Sequence, residues 1–102
     1  MAATRTPNRG PSPSREELET RLREEGLSEP RWWSNAPGDT YGWHHHPYHK
    51  ELYCSEGSIV FHLRDQDVEL RAGDLLDIEA GTEHAATVGS EGVACVEASR
   101  SP

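Results

Sequence analysis

The stretch Val68-Glu69-Leu70-Arg71-Ala72-Gly73-Asp74-Leu75-Leu76-Asp77-Ile78-Glu79-Ala80-Gly81-Thr82-Glu83-His84 decides the fold of this chain. Apolar and polar residues alternate on both sides of Ala72-Gly73-Asp74, and a second glycine turn, Ala80-Gly81-Thr82, follows closely. A period of two sends successive side chains to opposite faces, so each run reads as a short strand with one buried face. The same pattern recurs outward from here. Tyr41–His46, Lys50–Ser55, Ser58–Leu63, His84–Val88 and Val93–Glu97 read as strands beside Val68–Arg71 and Leu75–Glu79. Glu56-Gly57, Arg64-Asp65-Gln66-Asp67 and Gly89-Ser90-Glu91-Gly92 separate them as turns. Many short strands joined by Gly/Asp turns predict a small antiparallel all-β barrel or sandwich over residues 32–98.

Upstream the pattern changes. Residues 1–13 hold Pro7, Pro11 and Pro13, carry Arg5 and Arg9 without any acid, and lack apolar periodicity. They are expected to form a disordered basic arm. Ser14-Arg15-Glu16-Glu17 then fits a capping box, in which the serine oxygen accepts from the third helical amide and Glu17 reaches back. Leu18 and Leu22 follow at i, i+4, and Gly26 supplies a left-handed stop. One short helix within residues 14–26 is predicted. Its apolar stripe is too thin to be stable alone, so it must dock through Leu18, Leu22 and Leu27.

At 102 residues the chain has room for one domain. Hydrophobic residues make up 33%, low beside the about 45–50% usual for globular chains counted with glycine. No apolar run approaches the roughly 20 residues that span a bilayer, and the first residues show no apolar signal core. A cytoplasmic chain with no membrane partner is expected. The formal net charge is −8, and all 18 acids lie beyond Arg15. Such a body repels phosphate backbones, so nucleic acid is not an expected partner. Cys54 and Cys95 lie outside any CxxC spacing, in alternating stretches where a free thiol acts as a small core residue. No Gly-x-Ser-x-Gly elbow and no phosphate-cradling glycine loop occur.

The chemistry concentrates in Gly42-Trp43-His44-His45-His46-Pro47-Tyr48-His49, which holds four of the six histidines. On a strand His44 and His46 project to one face and His45 to the other. Two imidazoles converging from one strand are a common start to a transition-metal site. A third ligand must come from elsewhere, and His84, directly after the Ala80-Gly81-Thr82 turn, is well placed. His49 and His62 have no partner by spacing. Trp32, Trp33, Tyr41 and Trp43 read as packing around the first strand and the helix.

These residues resemble a known pattern. His44-x-His46 followed by Gly57 is similar to the first motif of the cupin superfamily, and Gly73 through Gly81 to His84 resembles the second. The resemblance covers residues 39–98. It implies a double-stranded β-helix, the cupin jelly-roll barrel, with an internal pocket for a metal or ligand. Its motif histidines map to His44, His46 and His84, which would hold a divalent transition metal such as Fe, Mn, Zn or Ni. Family members usually add a glutamate as fourth ligand. Four intervening residues after His46 reach Glu51, whereas counting back from Gly57 reaches Lys50. Parity turns Lys50 inward with Leu52 and Cys54; a bulge after Pro47 would instead turn Glu51 inward. Glu51 is therefore a candidate fourth ligand and Lys50 a candidate holder of an anionic substrate. Glu79 stands where the second motif usually has proline. The expected function is metal binding with action on a small organic substrate, oxygenase-like or isomerase-like; a non-catalytic small-molecule sensor is the alternative. A barrel this small exposes sheet edges, which makes a homodimer a reasonable expectation.

Overall fold

Two long ribbons organise the computed structural model, which describes residues 2–100. The strands are β1 (Ala3–Thr6), β2 (Arg31–Asn35), β3 (Thr40–His44), β4 (His49–Leu63), β5 (Asp67–Arg71), β6 (Leu75–Ile78) and β7 (His84–Arg100), with one helix, α1 (Arg15–Glu24). β4 and β7 pair antiparallel along their whole length, from His49 opposite Arg100 to Leu63 opposite His84. The register shifts between Cys54 and Glu56 and again between Gly57 and Ile59, and there the ribbon bends. Gly57 and Gly92 face each other at this corner with φ of 73° and 80°. A Cβ on Gly57 would collide with the Gly92 carbonyl, so the corner requires glycine.

The bend divides the ribbon into two faces. On one, β6 and β1 extend outward from β4 while β2 extends from β7, in the order β1-β6-β4-β7-β2. On the other, β5 pairs with β4 and β3 with the start of β7. Leu52, Cys54 and Cys95 from the first face pack with Ile59, Phe61, Leu70 and Val88 from the second to form the core. This is the small antiparallel barrel predicted by the alternation. Cys54 and Cys95 sit directly opposite each other as buried free thiols. The neighbouring Cys54 and burial push the Cys95 thiol up, so it stays protonated as packing.

The helix forms as the capping box predicts. Glu17 N–H donates to Ser14 Oγ at 3.2 Å, and the chain turns at Gly26 with φ 75°. Leu18 and Leu22 are fully buried against Tyr53, Val96 and Ala98 on the outer face of β4 and β7. Each such burial contributes about 1.5–3 kcal/mol, which compensates for the thin stripe.

Several elements differ from the sequence reading. Glu56-Gly57 and Gly89–Gly92 are not turns but bulges and bends inside continuous strands, because pairing runs on through both. Residues 1–13 are not wholly a disordered arm. Ala3–Thr6 pairs with Leu75–Ile78 as β1, the Glu79 N–H donates to the Ala2 carbonyl at 2.9 Å, and Asn8 N–H donates to Asp74 Oδ1 at 2.8 Å. The outer edge of β6 has backbone groups to satisfy, and Ala-Thr-Arg-Thr precedes the first proline. The strand expected to reach His46 ends at His44, and Arg31–Asn35 forms a strand where none was delimited.

Candidate metal centre

His44, the last residue of β3, lies directly across from His84, the first of β7. His46 follows two residues later in the connection to β4. The Gly81 N–H donates to its carbonyl at 2.8 Å, so the Ala80-Gly81-Thr82 turn that delivers His84 also fixes His46. The rings meet closely: His44 and His84 have centroids 4.3 Å apart, His44 and His46 4.9 Å, and His46 and His84 5.4 Å. One ligating nitrogen from each lies within 4.8 Å of the other two.

Hydrogen bonds orient the rings. His44 Nδ1 donates to the Gly42 carbonyl at 2.7 Å and His84 Nδ1 to the Thr82 carbonyl at 2.9 Å, which leaves each Nε2 with its lone pair. Such carbonyl contacts are the usual means of fixing a ligating imidazole. His46 Nδ1 lies 3.3 Å from the Tyr48 hydroxyl, while its Nε2 is buried with no hydrogen-bond partner. Burial, then Lys50, then the other two histidines, lower the pKa of His46 to about 4, and burial likewise lowers that of His84. Neutral rings are the form that ligates. Three converging imidazoles, with His46 and His84 held neutral by burial, and an unsatisfied buried nitrogen fit a divalent transition ion. Three ligands leave coordination positions open.

Lys50 lines the same cavity of about 300 Å³, with its Nζ 3.5 Å from Glu97 Oε1. Glu51 does not join the three histidines. Strand parity turns it to the outer face, where it is buried with His49 and Asp77, and Arg100 Nη2 lies 3.9 Å away. No bulge after Pro47 reverses that parity. Burial first, and the carboxylates of Glu25 and Asp77 besides, raise its pKa to about 7. His49 bonds Asp77 at 3.1 Å, and His62 bonds both Asp67 and Thr87 at the surface. Trp33 and the exposed Tyr41 line the cavity, whereas Trp32 and Trp43 are exposed elsewhere, with Arg15 of the helix over Trp32.

Glu97 escaped sequence reasoning. It accepts from Trp33 Nε1 at 2.6 Å and faces Lys50 across the cavity wall. Its signal was present: Val93, Cys95 and Glu97 share a face, so an acid stood at an inward position.

Comparison with known proteins agrees with this architecture. Residues 31–97 match the family model described as the cupin domain. Quercetin 2,3-dioxygenase of Bacillus subtilis is 40% identical over 48 residues, which is 46% of this chain but only 14% of that protein. A cupin-2 domain containing protein from Shewanella frigidimarina superposes with a TM-score of 0.61 at 23% identity, covering 71% of this chain and 70% of that one. A conserved protein with a double-stranded β-helix domain from Klebsiella pneumoniae gives 0.62 at 25%, covering 69% and 64%. A DUF861 family protein from Thermotoga maritima gives 0.64 at 18%, covering 94% and 97%. With its barrel, its two motifs and a matched segment spanning nearly all the strands, the chain belongs to the cupin domain family.

Proposed function

We propose that this chain binds one divalent transition metal ion through His44, His46 and His84 and acts at that centre on a small organic ligand. The observation that carries the reading is the buried, unpartnered Nε2 of His46 beside two rings whose Nδ1 atoms are already engaged. An ion of this kind, when bound, supplies Lewis acidity and, if redox-active, a route to dioxygen chemistry. The chain's own part is to hold His46 and His84 neutral, to exclude water with Leu52, Ile59 and Phe61, and to orient the ligand. The similarity to quercetin 2,3-dioxygenase is consistent with small-molecule chemistry.

A second reading, a non-catalytic ligand sensor, is favoured by Lys50, which stands in the pocket where the family motif usually places a carboxylate. Elemental analysis of tag-free protein tests the metal. Wild type should take up about one equivalent, and His46→Ala and His84→Ala should each reduce this below a tenth. Full occupancy in both variants would overturn the assignment. Oxygen uptake by iron-loaded protein over pooled small acids and phenols separates the readings. Turnover lost in His84→Ala supports the enzyme, and thermal stabilisation without turnover supports the sensor.

A further inference from the structure

The cavity beside the histidines reverses the charge of the molecule around it. The chain carries a formal −8, yet the acidic and basic side chains other than histidine and tyrosine lining this cavity are Arg31, Lys50 and Glu97, two bases and one acid. Register explains their meeting. Arg31 of β2 and Leu52 of β4 both lie opposite Glu97 of β7, and Lys50 shares the inward face with Leu52. The Glu97 carboxylate is tethered: its Oε1 receives the Trp33 Nε1 proton at 2.6 Å and meets Lys50 Nζ at 3.5 Å. That contact is long for a charge-assisted hydrogen bond and engages at most one of the three ammonium donors. Lys50 is mostly buried, with its side chain 13% exposed, and it lines the cavity. Arg31 is exposed at the rim. Below them the wall is apolar, formed by Leu52, Ile59 and Phe61.

We infer that this cavity selects small monocarboxylates with an apolar body, seating the carboxylate on Lys50 and Arg31. Glu97 sets the preference for a single negative charge by cancelling one of the two cations. This rests on the small-molecule site proposed above and deepens it by naming the ligand class. The geometry assigns Glu97 as a specificity-determining residue and Lys50 as the anion contact.

The test is calorimetric titration of the full-length protein, both chelator-treated and zinc-loaded, with benzoate, its neutral isostere benzamide, and the dianion phthalate. Benzoate should bind at least tenfold more tightly than benzamide. Lys50→Met should erase that margin, Arg31→Gln should cut it severalfold, and Glu97→Gln in the metal-free protein should shift preference severalfold toward phthalate. Arg31→Gln changes an exposed side chain, so it remains informative if a buried variant misfolds. Equal binding of benzoate and benzamide, no binding of either, or an unchanged margin in a folded Lys50→Met or Arg31→Gln variant overturns the inference. Metal content is read separately. Zinc uptake without a benzoate margin defeats this ligand class alone. A Lys50-dependent margin in protein that takes up no metal defeats the metal reading and leaves the ligand class standing.

Discussion

At His46, burial and the Lys50 charge keep the ring neutral down to about pH 4 in the folded chain, while the unfolded chain protonates it near 6.5. Between those values the unfolded state holds the extra proton, so stability rises with pH and is complete above 6.5. Glu51 works the other way. Its folded pKa of about 7 lies above the ordinary 4.5, so the folded chain keeps a proton that the unfolded chain has lost, and stability falls as pH rises from 4.5 to 7. Glu51→Gln removes the second effect. Thermal melts of metal-free protein should show this variant raised in Tm above pH 7 and losing stability more steeply than wild type on acidification from 6.5 to 4.5. A parallel profile would show that Glu51 is solvated. These two fates were half legible. Strand parity placed Lys50 inward and Glu51 outward, and the glycine turn before His84 announced the third imidazole. The proton affinity of Glu51 was not legible, because it depends first on burial and then on Glu25 and Asp77, all of which arise only through tertiary packing.

Apart from β1 and β2, strands were legible element by element; their continuity was not. Alternation on either side of Glu56-Gly57 is the same whether the chain reverses there or merely bends. The choice is made by β7, whose own glycine at 92 comes to the same corner and lets pairing continue. β1 was hidden for a related reason. Four residues carry too little periodicity to register, and they form a strand because β6 offers an unpaired edge. The corner makes a sharp prediction. Gly57→Ala forces a Cβ into the Gly92 carbonyl at a positive φ, which should cost about 1–3 kcal/mol or more. Denaturant unfolding would read this as a lower midpoint with an unchanged slope. A neutral result would mean that the ribbons part there without penalty.

Over the whole molecule, the radius of gyration is 12.6 Å and the extents are 35 × 31 × 22 Å. No helix among the described residues is long and apolar enough to cross a membrane. A chain of this size buries only about 60–70% of its unfolded surface, and β1, β2, β3 and β5 keep one edge each without a strand partner among the described residues. We propose a homodimer that covers one of these edges. Light scattering at micromolar concentration should give twice the 11.4 kDa chain mass, and a clean monomer would refute it. The edge of β6 is covered by the chain itself, with the short β1 as the strand that ends the sheet. Ala3–Thr6 lies along β6, and Asn8 is pinned to Asp74. Trimming residues 2–8 would therefore do more than shorten a tail. It would lay bare a row of backbone donors and acceptors, and particles so cut should stick to one another as growing ribbons, visible as turbidity and thioflavin fluorescence that full-length protein lacks. The opening peptide would, in this sense, guard the β6 edge against such growth.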